Sequence, residues 1–65
     1  MSITKRSDLS IGALVEVVQK QDQRTGALTS GTIQRILTNS AQHPRGIKVM
    51  LDGGIVGRVM NIKDK

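Results

Sequence analysis

The sequence predicts an all-β fold, a small barrel of four to five short antiparallel strands. Apolar and polar residues alternate on both sides of one Asp-Gly-Gly turn, and two further β-branched segments each follow a glycine. Polar, turn-forming stretches separate these segments, as expected for short strands joined by loops. The 65 residues suit one small domain. We assign residues 1–8 to a mobile N-terminal arm and residues 9–65 to the barrel.

The clearest element is a β-hairpin over residues 47–59, in which two alternating runs flank the turn. A three-residue loop, Asp52-Gly53-Gly54, keeps the charged side chains on one face because it places Lys48 opposite Arg58. A two-residue loop would instead place Arg58 opposite Val49 and bring a charge into the apolar row, so we prefer the longer loop. The preferred register also pairs Leu51 with Ile55, Val49 with Gly57, Ile47 with Val59 and Met50 with Val56.

A first strand is predicted over residues 13–20, where three valines fall within four positions. β-branched side chains lose rotamer freedom in a helix, so this composition favours a strand. Alternation places Val15 and Val17 on one face and Glu16 and Val18 on the other.

Residues 31–37 leave two structures open, because their apolar positions break strict alternation. A short helix capped by Thr29 or Ser30 fits the spacing. A strand with a bulge between Ile33 and Ile36 fits equally well. We favour the strand, because a glycine opens this β-branched segment as it opens the first one.

Two polar loops are predicted, over residues 21–30 and 38–46. Long ordered loops in compact domains often carry function, although the first loop fits a disordered spacer as well. Pro44 restrains the residue before it to extended conformations. The candidate contact residues in or next to the loops are Lys20, Arg24, Asn39, His43 and Arg45.

The balance of ten Lys and Arg against five Asp and Glu gives a formal net charge of +5 and indicates anionic partners. Charge repulsion that merely keeps a small protein in solution is the alternative. With no Cys and one His, a thiolate or zinc site is not available, and we expect no cofactor. No apolar stretch approaches the roughly 20 residues of a membrane span, and the first residues lack the apolar region of a signal peptide. We therefore expect a cytoplasmic protein that does not enter a membrane.

Together the four β segments suit a strongly bent, SH3-like barrel. The layout resembles KOW-type modules of ribosomal and transcription proteins, in which a glycine opens a strand and a hairpin carries a Gly turn. More specific blocks of sequence are Lys20-Gln21-Asp22-Gln23-Arg24-Thr25-Gly26, Ile36-Leu37-Thr38-Asn39-Ser40, His43-Pro44, Gly46-Ile47-Lys48-Val49 and Gly57-Arg58-Val59. These blocks look like the signature of the YwbE-like family, small bacterial proteins without an established activity. The resemblance therefore implies a family and no mechanism.

From Lys20 to Lys48 the chain carries five basic residues and one acid, a local excess of 5 − 1 = +4. Phosphate is the natural ligand for such a surface, since Arg offers a planar fork and Lys a compact charge. We expect a non-catalytic module that contacts structured RNA or a ribonucleoprotein such as the ribosome. The oligomeric state is left open. The predicted nucleic-acid-binding residues are Lys20, Arg24, Asn39, His43, Arg45, Lys48 and Arg58.

Two other classes of function are alternatives to RNA binding. A protein-interaction module would use an amphipathic outer face of the hairpin, formed by Met50 and Val56 beside Lys48 and Arg58. An enzyme is the weakest class, because the sequence contains no nucleophile elbow and no other recognisable catalytic motif.

Overall fold

A computed structural model describes residues 3–63 and shows an all-β protein. Its four antiparallel strands form a closed barrel in the order β1-β2-β3-β4, because β4 pairs with both β3 and β1. This architecture confirms the predicted SH3-like barrel. Two single-turn 3-10 helices, Arg6–Asp8 and Lys20–Asp22, lie outside the sheet. The strands are β1 (Leu14–Val18), β2 (Thr29–Ile36), β3 (Lys48–Leu51) and β4 (Val56–Ile62).

The core is built from aliphatic side chains that every strand contributes to the inside of the barrel. Alternate residues of a strand point to opposite faces, so each strand supplies one inward row. Val15 and Val17 of β1 are completely buried, as the alternation of this strand predicted, while Glu16 and Val18 are only half-buried. The buried set is Leu9, Val15, Val17, Ile33, Ile47, Val49, Leu51 and Val59.

The hairpin has the predicted register. Lys48 pairs with Arg58, Val49 with Gly57, and Met50 with Val56. Leu51 N donates to the carbonyl oxygen of Ile55 at 2.7 Å, which closes the three-residue loop.

The segment 31–37 is a strand, so the helical alternative is wrong. β2 runs from Thr29 to Ile36, and its pairing with β3 shifts register between Ile33 and Arg35. This shift is the predicted bulge. It lets one eight-residue strand pair first with β1 and then with β3, which a small barrel requires of its longer strands.

β4 closes the barrel against β1 at a glycine. A Cβ atom on Gly57 would lie 2.7 Å from the carbonyl oxygen of Val18 and 2.8 Å from Cγ2 of Val17. Both distances are below normal contact, so only glycine allows the two strands to approach this closely.

The N-terminal segment lies on the barrel, where the sequence prediction expected a free arm over residues 1–8. The first two residues are outside the described range. Ile3 N donates to the carbonyl oxygen of Val59 at 2.9 Å, and Ile47 N donates to the carbonyl oxygen of Ile3 at 2.8 Å. Backbone N–H and C=O groups need hydrogen-bond partners. For this segment, the residues before β3 and the strand β4 supply them. The mobility of the segment in solution stays a prediction.

No helix within residues 3–63 is both long enough and apolar enough to cross a membrane.

Candidate nucleic-acid interface

A groove of about 640 Å³ separates the Lys20–Asp22 3-10 helix from the β3–β4 hairpin. Lys20 lines it from the helix side, and Lys48 and Arg58 line it from the hairpin side. We call it the basic groove. Among residues 3–63, none of those that line the groove is an Asp or Glu, although Asp22 belongs to the same 3-10 helix as Lys20.

A second groove, of about 370 Å³, continues from the basic groove and is lined by Arg45 and Met60. The two grooves share Val18, Gln23 and Arg58, and within the described part of the chain the lining of the second also contains no acid. Together the two grooves form one surface that is lined by four basic residues, Lys20, Arg45, Lys48 and Arg58.

The strand register sets the hairpin cations side by side. Lys48 is the partner of Arg58 across β3 and β4, and Arg58 is also the partner of Val18 across β4 and β1. Arg58 therefore sits where β4 passes from one neighbour to the other. Directly opposed residues have Cβ atoms about 4.5 to 5.5 Å apart, so the two basic side chains leave the sheet side by side on its outer face.

The backbone of Lys48 is held firmly in place by the end of the preceding strand. Its N–H donates to Thr38 Oγ1 at 2.8 Å, and its carbonyl oxygen accepts the N–H of Leu37 at 2.8 Å. The side chain itself is exposed. The fold thus fixes the base of the lysine and leaves its ammonium group free to meet a ligand.

Arg58 is half-buried, and one of its guanidinium nitrogens is already engaged. Nη1 donates to the carbonyl oxygen of Gly46 at 2.9 Å. A guanidinium has five N–H donors, so this bond orients the group and leaves other donors for an anion.

The loop before β3 is shaped by His43. Its Nδ1 accepts the backbone N–H of Arg45 at 3.1 Å, and its carbonyl oxygen accepts the N–H of Gly46 at 3.1 Å. The imidazole lines a separate cleft of about 310 Å³ together with Thr4 and Pro44. In this structure His43 supports the loop that carries Arg45, and it does not line either basic surface.

The seven predicted contact residues therefore separate into four that line the two grooves and three, His43 among them, that do not. Lys20, Lys48 and Arg58 meet in the basic groove, and Arg45 joins them through the second groove. Arg24 and Asn39 are exposed but line neither groove. The role in binding of all seven predicted residues stays a prediction.

Sequence reasoning missed two glutamines of the basic groove. Gln19 Nε2 donates to Thr29 Oγ1 at 3.0 Å, and Gln21 Nε2 donates to Gln19 Oε1 at 3.2 Å. The available signal was the recurrence of Gln at positions 19, 21 and 23 around Lys20, since all three line the groove.

Within residues 3–63, no group of three or more His, Cys, Asp or Glu side chains is arranged to hold a metal ion.

The fold and this surface define the molecule as a small basic β-barrel protein with an acid-free cationic groove. The chain belongs to the family described as "Uncharacterized conserved protein (DUF2196)", whose model matches residues 2–62. It is also 48% identical over 62 residues to "Uncharacterized protein YwbE" of Bacillus subtilis (strain 168), an alignment that covers 95% of each chain. These matches confirm the predicted resemblance to the YwbE-like family. No solved structure matches the chain.

Proposed function

We propose that the protein is a non-catalytic module that binds structured RNA, free or within a ribonucleoprotein such as the ribosome, in the cytoplasm. The observation that carries the proposal is the convergence of Lys20, Lys48 and Arg58 on one acid-free groove. The net charge of +5 supports the same class of partner, because it attracts polyanions over a longer range.

Phosphate is the ligand chemistry that suits these cations best. Lys48 and Arg58 are direct partners across two strands, and like charges in that position repel each other. A bound phosphate relieves the repulsion, accepting from the guanidinium fork of Arg58 and the ammonium of Lys48. Removing either cation should therefore weaken the contact made by the pair.

A structured RNA fits the composition better than an unpaired strand does. Proteins that bind single strands usually stack bases on aromatic side chains, and this chain contains no Phe, Tyr or Trp. Double-stranded RNA is recognised mainly through its backbone and 2′-hydroxyl groups, which cations and amides can contact.

The proposal is tested by titrating an RNA stem-loop at several salt concentrations. We expect the association constant to fall as the salt concentration rises. The plot of log K against log[salt] should be less steep by about 2 for the variant Lys48→Gln/Arg58→Gln. The matched control is Arg35→Gln/Lys63→Gln, which removes the same charge from two residues that line neither groove. Binding that is undetectable, or independent of salt, would overturn the proposal. Equal losses in both variants would show that net charge matters and that the groove does not.

A protein-docking function is the second candidate, supported by the outer face of the hairpin. Met50 and Val56 are partners across β3 and β4, and both are half-buried beside the Lys48 and Arg58 pair. Pull-down from lysate before and after ribonuclease treatment separates the two functions. Partners lost with the RNA favour the first, and partners that survive and depend on Met50 favour the second.

A further inference from the structure

We propose that the basic groove recognises the ribose of its ligand as well as the phosphate, and that Gln21 contacts the 2′-hydroxyl group. The inference rests on the proposed function and names a residue that would make binding specific for RNA over DNA. Its basis is the hydrogen-bonded chain of glutamines on the groove wall.

Two hydrogen bonds link the three side chains in sequence. Thr29 Oγ1 accepts from Gln19 Nε2 at 3.0 Å, and Gln19 Oε1 accepts from Gln21 Nε2 at 3.2 Å. Both ends of the Gln19 amide are thus used within the protein. Gln21 is the last member of the chain, and its Oε1 has no hydrogen bond to any other part of residues 3–63.

The free end of this chain suits a hydroxyl group better than a phosphate. Gln21 is exposed and lines the same groove as Lys20, Lys48 and Arg58. The cations can only donate hydrogen bonds, whereas an amide oxygen can only accept them. An ionised phosphodiester has no proton to donate, so Gln21 Oε1 can accept a hydrogen bond only from a neighbouring group that has one. In a nucleic-acid backbone the 2′-hydroxyl is that group, and it distinguishes RNA from DNA.

The apolar part of the groove is compatible with a sugar. Ile55, Val56 and Val18 line it together with the polar residues. A nucleoside sugar presents carbon-bound hydrogens on the side away from its hydroxyl groups, and these can pack on aliphatic side chains. A bare phosphate would leave this surface without a partner.

The test compares two stem-loops of identical sequence, one with ribose and one with 2′-fluoro nucleotides, at a single salt concentration. Fluorine removes the O–H donor and preserves the phosphate charge and the A-form duplex. We expect the unaltered protein to bind the ribose probe about two- to tenfold more tightly, the effect of one hydrogen bond. Gln21→Ala should bind both probes equally, with the affinity of the unaltered protein for the fluorinated probe.

Gln34→Ala is the control, since Gln34 is an exposed glutamine of β2 that lines neither groove, and this variant should keep the preference for ribose. Equal binding of both probes by the unaltered protein would overturn the ribose inference and leave the proposed function standing. A preference that survives in Gln21→Ala would overturn the assignment to Gln21. Absence of binding to either probe would overturn the proposed function, and the inference with it.

Discussion

The guanidinium of Arg58 donates a hydrogen bond to the carbonyl oxygen of Gly46, with an Nη1 to O distance of 2.9 Å. This contact ties the outer face of β4 to the loop that carries Arg45. It also fixes the group that forms the shared wall of both grooves. The same side chain is thus both a structural link and the central cation of the candidate interface.

Replacing Arg58 by Lys should separate the effect of the guanidinium geometry from the effect of the positive charge. Arg58→Lys keeps one positive charge but lacks the planar fork, so it cannot hold Gly46 and a phosphate in the same geometry. We expect RNA affinity to fall about two- to tenfold with little change in the salt slope, and stability to fall by about 0.5 to 1 kcal/mol. Salt-dependent titration and urea denaturation measure the two effects. An unchanged affinity would mean that Arg58 acts as a point charge only.

Gly57→Ala should destabilise the barrel strongly, because the new Cβ would lie 2.7 Å from the Val18 carbonyl oxygen. Backbone at this closing seam cannot move without disturbing β1, so we expect a cost of about 1 to 3 kcal/mol, the range for overpacking. Urea denaturation, monitored by circular dichroism, measures this loss of unfolding free energy.

Gly31→Ala is the matched comparison for that change. The Cβ atom added there would lie 2.8 Å from Leu51 Cδ1 and 3.2 Å from Leu51 Cβ, so its closest contact is with the end of a side chain and not with a backbone carbonyl group. Its cost should be the smaller of the two. The reverse order would show that the strands β1 and β4 can separate at Gly57.

Gly54→Ala tests the conformation of the hairpin turn. Gly54 has a φ of +81°, and nothing lies within 4 Å of the position its Cβ would take. The cost is therefore one of backbone conformation alone, about 1 to 2 kcal/mol for an L-residue in the left-handed region. Gly54→Asn should cost less, since Asn enters that region more readily. If thermal denaturation gives equal losses for both, the turn has changed its type.

Hydrogen exchange tests the attachment of the N-terminal segment. The amide of Ile47 donates to the carbonyl oxygen of Ile3, and the amide of His43 donates to that of Thr4. Both should exchange slowly, at rates close to that of Leu51 in β3. Fast exchange at Ile47 and His43 beside a protected Leu51 would support the mobile arm that the sequence predicts.

The hairpin could be predicted closely because two independent constraints agreed on one register. The apolar rows fixed which side chains face inward, and the Asp-Gly-Gly loop fixed which residues face each other. The bulge in β2 was predictable for a similar reason, since Ile33 and Ile36 cannot both alternate regularly. Local pattern was sufficient for the hairpin, whereas the spacing of apolar residues in β2 fitted a helix as well, and the opening glycine favoured the strand.

The N-terminal contacts and the glutamine chain were not predictable in the same way. Ile3 contacts Ile47 through backbone atoms. The pattern of side chains in the sequence does not indicate such a contact. Gln19 and Gln21 line the groove because the 3-10 helix and the residue before it lie opposite the hairpin. The grouping of Lys20 with Lys48 depended on the same long-range placement. Residue types indicated the chemistry of the site, and closure of the barrel decided which of them meet.

The ring of strands in the described part of the chain has a consequence for how partners can be recognised. Each of the four strands has a neighbour on either side, so the sheet has no first or last member that a foreign strand could extend. Recognition by added main-chain pairing is thereby disfavoured, and discrimination between partners passes to side chains on the outer wall. Exchange of a few surface residues would consequently change what this barrel can contact while the inward rows stay as they are.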